Sequence, residues 1–246
     1  MRQFRSMVYP YVVWIAIMIV VPMLMILLYA FTKEGNDVTT FRFTLENFGR
    51  FFSDAVFLDV LKRSLIIAIF TTIICVLLGY PIAYAIATGP EKSKMFWILM
   101  ITLPTWINML VRTYAWVGIL QDDGLLNSFL GLFGIGPFKM MYTTFAVVLG
   151  MVYNFLPFMV LPIYNVLAKI DKDVIAAARD LGANNVQTFL RIILPLSVPG
   201  IISGITMVFV PALTTFVISD LLGGSKILLI GNVIEQEFTR GSNWHL

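Results

Sequence analysis

Five long apolar runs, separated by shorter polar segments, dominate the pattern of hydrophobic positions along the chain. They cover residues 7–31, 64–89, 95–121, 140–168 and 192–219. A helix needs about 20 consecutive apolar residues to cross the hydrocarbon core of a bilayer, so each run predicts one membrane span. We therefore expect an all-α, polytopic membrane helix bundle with five spans, in which residues 1–246 form a single transmembrane domain.

Composition supports this class of protein. Hydrophobic residues make up 59% of the chain and charged residues 13%, against about 25% charged residues in a typical soluble domain. The first run is uncharged over 25 residues, whereas the apolar core of a signal peptide is about 7–15 residues long. It therefore predicts a retained span. The net charge of +3 is small and dispersed, which does not favour a nucleic-acid partner.

The distribution of Lys and Arg between loops predicts the orientation. With the N-terminus inside, the inner segments carry eight Lys and Arg residues and the outer segments also carry eight, but the outer segments are much longer. The positive-inside rule gives short loops the greatest weight. We therefore expect a cytoplasmic N-terminus, and inner segments at residues 1–6, 90–94 and 169–191.

Few residues are available for catalysis or metal binding. The only histidine is His245, and the only cysteine, Cys75, lies inside an apolar run. Metal sites based on histidine and Ser-His-Asp catalysis are thereby almost excluded. The phosphate-binding sequence Gly-x-x-x-x-Gly-Lys-Ser/Thr is absent, so the chain has no P-loop ATPase of its own. We predict no catalytic residue, no metal site and no enzymatic activity in this chain.

The inner segment 169–191 is the most polar stretch between two apolar runs, and its pattern predicts two short amphipathic helices. In the first helix, apolar residues recur at i, i+3, i+4 and i+7, which places them on one face; they are Val174, Ala177, Ala178 and Leu181. Asp173 is the expected N-cap, and Gly182 is the expected left-handed residue after the last turn.

The second helix is predicted to begin at Asn184, because Gln187 follows three residues later as in a capping box. Val186, Phe189, Leu190 and Ile193 repeat the apolar spacing of the first helix. The pattern leaves two interpretations open. The apolar face either contacts a partner protein, or it lies on the lipid headgroups as an interfacial helix pair.

The spacing Ala177-Ala178-x-x-x-Gly182, followed by Ile192-x-Leu194-Pro195, resembles the "EAA" loop of the permease subunits of ABC importers. In that family the loop forms a coupling helix that docks onto the ATPase subunit; we call residues 169–191 the coupling loop. The resemblance implies the following contact residues: Val174, Ala177, Ala178, Leu181, Gly182, Ala183, Ile192, Leu194 and Pro195.

The resemblance also implies a set of partners and a location. A cytoplasmic ABC ATPase dimer would bind the coupling loop and would hold ATP and Mg, leaving no cofactor in this chain. A second permease subunit, giving a heterodimer, and an extracytoplasmic substrate-binding protein complete the assembly in the lipid bilayer of a bacterial inner membrane. One position departs from the pattern, because Ala176 stands where the family has its leading Glu.

Further stretches resemble the permeases of spermidine/putrescine importers. They are residues 44–48, Leu103-Pro104-x-Trp106 with Arg112, and residues 217–224 and 230–234. This resemblance implies a polyamine substrate, with another small solute as the alternative. Members of that family have a sixth span, and we expect it to begin near residue 243, where this sequence ends.

Polar and aromatic residues in the third run, together with Asp220, are candidates for a substrate path. Aromatic faces attract ammonium groups, so Trp106, Asn108, Tyr114 and Trp116 either line the path or occupy packing and interfacial positions. Asp220 either binds an ammonium group or is an ordinary helix-terminal residue. Arg112 repels a cation, and we expect it to snorkel to the membrane surface or to pair with another span.

Two other classes of protein remain to be compared with an importer subunit. A secondary transporter or channel usually shows an internal repeat or ionisable groups near mid-membrane, and neither is evident here. A membrane enzyme needs a nucleophile, a carboxylate pair or histidine ligands at membrane depth, and the sequence supplies no convincing set.

Overall fold

A computed structural model describes residues 2–32, 43–237 and 239. The described elements are helical. They are α1 (Arg2–Ile15), α2 (Val21–Ala30), α3 (Glu46–Ser53), α4 (Ala55–Thr88), α5 (Glu91–Thr102), α6 (Met109–Leu120), α7 (Leu125–Gly131), α8 (Thr144–Leu167), α9 (Lys172–Asp180), α10 (Asn185–Thr188), α11 (Leu194–Thr214) and α12 (Ile230–Gln236). The predicted all-α membrane helix bundle is confirmed.

Within the described residues, four helices are long and apolar enough to cross a membrane. They are Val8–Ala30, Ala55–Thr88, Thr144–Leu167 and Asn185–Thr214. The first and the last each contain a π-helical segment, at Ala16–Val20 and at Phe189–Ile193. A bent helix pair at Glu91–Trp106 and Met109–Gly131 brings the number of candidate spans to five.

The third apolar run is not one continuous helix, as its hydropathy had suggested. The two halves meet at an angle of 92°. Leu103–Trp106 forms a 3₁₀ turn that contains Pro104, and Ile107 is extended. The side chain of Asn108 then caps α6, because its Oδ1 accepts the backbone N–H of Leu110 at 2.8 Å. Proline, which lacks an N–H, and a new N-cap together explain the break.

The chain divides into two compact units, one formed by residues 1–59 and 234–246 and the other by residues 60–233. In the first unit, α3 is a short helix that precedes α4. Asn47 Nδ2 donates hydrogen bonds to the backbone oxygens of Ala30 at 3.1 Å and Thr32 at 2.9 Å. The loop residues 33–42, and residues 240–246 where a sixth span was expected to begin, lie outside the described residues.

The core of the second unit is built around α8, which packs most extensively against α11. Two glycines of α11 permit this close approach. A Cβ atom added at Gly200 would lie 2.9 Å from the backbone oxygen of Pro162, and one at Gly204 would lie 2.6 Å from Met159 Sδ. Small residues at this spacing let two helix backbones approach closely within a membrane. This packing holds the helix that continues from the coupling loop.

Candidate coupling site

The first helix of the coupling loop begins two residues earlier than the sequence pattern indicated. The N-cap is Asp171, whose Oδ1 accepts the backbone N–H of Asp173 at 3.0 Å. The prediction of Asp173 as N-cap is therefore wrong, since Asp173 lies within the first helical turn. Ala176 is then the fifth residue of α9, which begins at Lys172. A Glu at position 176 would be too far along the helix to complete a capping box.

The end of α9 has the geometry that was predicted for it. Gly182 has φ +86°, a left-handed conformation that glycine adopts without steric cost. The N–H of Gly182 donates to the oxygen of Arg179 at 2.9 Å, and the N–H of Ala183 donates to the oxygen of Ala178 at 3.0 Å. These two bonds form a Schellman motif, which satisfies carbonyls that the helix end would leave free.

The second helix starts with the predicted capping box. Asn184 Oδ1 accepts the backbone N–H of Gln187 at 2.8 Å, and Gln187 Oε1 accepts the N–H of Asn184 at 3.0 Å. Arg179 Nη2 also donates to Asn185 Oδ1 at 3.3 Å, which links the two helices across Gly182. The short helices of the coupling loop are thus fixed by their caps and by each other.

The outer face of the coupling loop exposes large apolar side chains. The exposed fractions are 45% for Val174, 89% for Leu181 and 64% for Val186. Ala177 and Leu190 are also exposed. An apolar set at helical spacing that its own chain leaves uncovered is typical of a protein-interaction surface.

Ala178 differs from the other predicted contact residues because it is buried. On a helical wheel it lies toward Ile175, which packs against the core, and away from Ala177. Ala183, Ile192 and Leu194 are half-buried, while Gly182 and Pro195 are exposed. In this chain Ala178 therefore contributes to the inner side of the loop, and the apolar outer face is narrower than the predicted stripe.

Aromatic contacts attach the inner side of the loop to the second span. The ring of Phe189 lies 5.8 Å from the ring of Tyr80 and 5.5 Å from that of Tyr84, with interplanar angles of 84° and 83°. The hydroxyl of Tyr80 is 2.9 Å from Ser197 Oγ. Sequence reasoning missed Tyr80, Tyr84 and Ser197. The available signal was the spacing of the tyrosines, which lie four residues apart on one face of α4.

The predicted substrate-path residues are distributed along the broken third run and the segment after α11. Trp106 is 75% exposed and Tyr114 is 59% exposed, while the ring of Trp116 lies 5.4 Å from that of Tyr153. Asp220 is exposed in a π-helical turn, Ser219–Gly223, that packs against α6. Within the described residues, no hydrogen bond, ion pair or ring contact joins any two of the five predicted side chains, which are Trp106, Asn108, Tyr114, Trp116 and Asp220.

Arg112 lies on α6, the helix that also carries Tyr114 and Trp116. Its Nε and Nη1 atoms are buried and have no hydrogen-bond partner among the described residues, so the structure shows no pairing with another span at these two nitrogens. Asn154 on α8, which is 1% exposed, has an unpartnered Oδ1 while its Nδ2 donates to Gly150 at 2.8 Å. Across the described part of the chain, no group of three or more His, Cys, Asp or Glu side chains is placed to hold a metal ion.

Comparisons with known proteins cover nearly the whole chain. Residues 2–239 match the family described as "Binding-protein-dependent transport system inner membrane component". The chain is 42% identical over 234 residues to the spermidine/putrescine transport system permease protein PotB of Escherichia coli (strain K12), which covers 94% of this chain and 85% of that protein. It is 32% identical over 220 residues to the inner membrane ABC transporter permease protein YdcU of the same organism, covering 84% of this chain and 69% of that one.

One solved structure has a closely similar fold. It is the crystal structure of a bacterial alginate ABC transporter in complex with an alginate pentasaccharide-bound periplasmic protein. The TM-score is 0.77 at 19% sequence identity, and the match covers 99% of this chain and 85% of that chain. At this identity the likeness concerns the fold, which the two chains share.

Proposed function

Because the chain belongs to the family of binding-protein-dependent transport system inner membrane components, and is a permease subunit of an ABC importer, we propose that it imports polyamines such as spermidine and putrescine. The predicted ABC permease fold is confirmed. The polyamine assignment rests on the 42% identity with a spermidine/putrescine permease over 94% of this chain. Another small solute is the alternative.

The coupling loop is the part of this chain that would receive the force for transport. Its two capped helices expose Val174, Ala177 and Leu181 on one side, and the aromatic contacts of Phe189 attach the other side to α4. We propose that the exposed side docks onto a cytoplasmic ABC ATPase, which binds ATP and Mg and carries out hydrolysis. This single observation, a pair of capped helices with an uncovered apolar face, carries the mechanistic proposal.

Docking of the coupling loop would move the spans as rigid helices. Because Asn185–Thr214 is one continuous helical segment, a displacement of α10 is passed along the backbone to α11. The close packing of α11 on α8 at Gly200 and Gly204 would then move the two helices together. Alternating access in such a system is a rigid-body change that opens the helix bundle to one side and then to the other.

The remaining partners follow from the same proposal. A second permease subunit pairs with this chain in the bilayer, in a heterodimer, and a substrate-binding protein delivers solute on the outer face. The N-terminus and the coupling loop face the cytoplasm of a bacterium, with the chain in its inner membrane. The support for this orientation is the density of Lys and Arg in the short inner segments.

Aromatic and acidic groups would guide an ammonium-bearing solute. Trp106 and Tyr114 are largely exposed, and an aromatic face attracts a cation by roughly 0.5–2 kcal/mol. Trp116, Asn108 and Asp220 are the other candidates for this path, and Asp220 has the sign of charge that an ammonium group requires. Arg112 would not bind the cation directly, since like charges repel.

The proposed function is tested by uptake into proteoliposomes. The chain is reconstituted with its second permease and the ATPase. Labelled spermidine is supplied with the binding protein, and uptake is measured with and without ATP on the side of the membrane where the ATPase lies. We expect ATP-dependent uptake that unlabelled putrescine and spermidine reduce. Absence of ATP-dependent spermidine uptake, together with ATP-dependent uptake of another labelled solute, would replace the proposed substrate. Uptake without ATP would contradict the coupling mechanism.

A further inference from the structure

We propose that Phe189 is a positioning residue that transmits the movement of the coupling loop sideways into α4, the second span. This inference rests on the proposed function, because it concerns how force reaches the spans. The continuous backbone from α10 to α11 supplies one route for this force. The Phe189 ring supplies a second route, which reaches a helix that is separated from the coupling loop by residues 89–168 of the sequence.

The geometry of the contact is specific. Tyr80 and Tyr84 lie one helical turn apart on α4, and the ring plane of Phe189 is nearly perpendicular to both, at centroid distances of 5.8 and 5.5 Å. Edge-to-face packing is the favoured arrangement for aromatic pairs at these distances. Phe189 therefore contacts two successive turns of α4 and resists displacement in either direction along that helix.

One of the two tyrosines is fixed to α11 as well. Ser197 Oγ donates to the backbone oxygen of Leu194 at 2.8 Å, so its proton is already used. The hydroxyl of Tyr80 is therefore the donor in its 2.9 Å bond with Ser197 Oγ. Tyr80 thus joins α4 to the first turn of α11 (Leu194 and Ser197), while Phe189 joins α4 to the end of the coupling loop.

Phe189 lies where the backbone changes from α-helix to π-helix. Phe189 is the first residue of the π-helical segment Phe189–Ile193, which lies between α10 and α11. A π-helical turn is a local irregularity that often marks functional sites. At this place, the aromatic contact fixes the orientation of the coupling loop relative to the second span.

The experiment compares Phe189→Leu with Phe209→Leu in the reconstituted transporter. Phe209 is also half-buried and packs against the same core, but on the distant part of α11, so it controls for the loss of a ring as such. For each variant we measure co-purification of the ATPase, the basal rate of ATP hydrolysis, and solute taken up per ATP hydrolysed. We expect Phe189→Leu to retain the ATPase and its basal rate while uptake per ATP falls by about fivefold or more. Phe209→Leu should keep uptake per ATP near the original value.

Substitutions of Tyr84 give an independent test in case Phe189→Leu does not fold. Tyr84→Phe keeps the ring and should leave uptake per ATP unchanged, whereas Tyr84→Leu should reduce it as Phe189→Leu does. In the double variant the two losses should not add, because both remove the same contact. Unchanged uptake per ATP in Phe189→Leu and Tyr84→Leu, or additive losses, would overturn this inference and leave the proposed function intact. A transporter without substitutions that hydrolyses ATP but shows no ATP-dependent uptake would instead contradict the proposed function.

Discussion

Asn184 and Gln187 cap each other at the start of α10, since the side chain of each residue accepts the backbone N–H of the other. These two bonds satisfy donors that a helix beginning at Asn185 cannot satisfy by itself. They fix the first turn, Asn185–Thr188, of the continuous helical segment Asn185–Thr214. The coupling loop therefore depends on side-chain caps for its shape.

Asn184→Ala should loosen the second coupling helix. Loss of an N-cap side chain costs about 1 kcal/mol of helix stability, so we expect faster amide hydrogen exchange at residues 185–188 and weaker binding of the ATPase. Asn184→Asp is the matched control, because Asp caps a helix about as well as Asn. Equal exchange rates in both variants would show that the cap does not stabilise the loop.

Gly182→Ala should strain the junction between the two coupling helices. Nothing lies within 4 Å of a Cβ atom at this position, so the cost comes from φ +86° and is about 1–2 kcal/mol. Gly182→Asn should cost less, since Asn tolerates left-handed backbone better than Ala. The thermal midpoint in detergent, measured for both variants, should fall more for Ala; the reverse order would contradict the explanation.

Leu181→Asp should abolish ATPase binding and leave the fold of this chain intact. The side chain is 89% exposed, so a charge there costs little until an apolar partner surface has to cover it. Leu132, which is 81% exposed after α7, supplies the control Leu132→Asp, and this variant should bind the ATPase normally. Normal co-purification of the ATPase with Leu181→Asp would count against docking at this face.

Gly200→Ala should destabilise the packing of α11 on α8. The added methyl group would lie 2.9 Å from the backbone oxygen of Pro162, and overpacking of this kind costs about 1–3 kcal/mol. The control is Gly118→Ala on α6, where nothing lies within 4 Å of the added Cβ and alanine favours the helix. A thermal midpoint that is lower for Gly118→Ala than for Gly200→Ala would be inconsistent with this packing.

Local sequence signals predicted the local structure of the coupling loop well. Gly182 and the pair formed by Asn184 and Gln187 act within a few residues of themselves, so the chain around them reveals their roles. The N-cap of α9 was harder to predict, because Asp171 and Asp173 are equally suitable residue types. Only the backbone geometry shows that Asp171 is the residue outside the helix.

Contacts between distant segments were not predictable in the same way. The break before α6 involves Pro104 and Asn108 in an otherwise apolar run, and an average of hydropathy does not register a change of direction over two residues. The contact of Phe189 with Tyr80 and Tyr84 depends on how α4 packs beside the coupling loop. The pattern of either segment alone contains no information on that packing.

The most direct test of the account is a cross-link between the coupling loop and the ATPase. Cys75 is buried and is the only cysteine of the chain, so Cys75→Ser provides a background for Leu181→Cys. In the assembled transporter, a short reagent with one maleimide, which reacts with the thiol at position 181, and one photoactivated group should link this position to the ATPase. A membrane-impermeant maleimide added to intact cells should not label position 181. Labelling of position 181 from outside the cell, with no cross-link to the ATPase, would contradict the account.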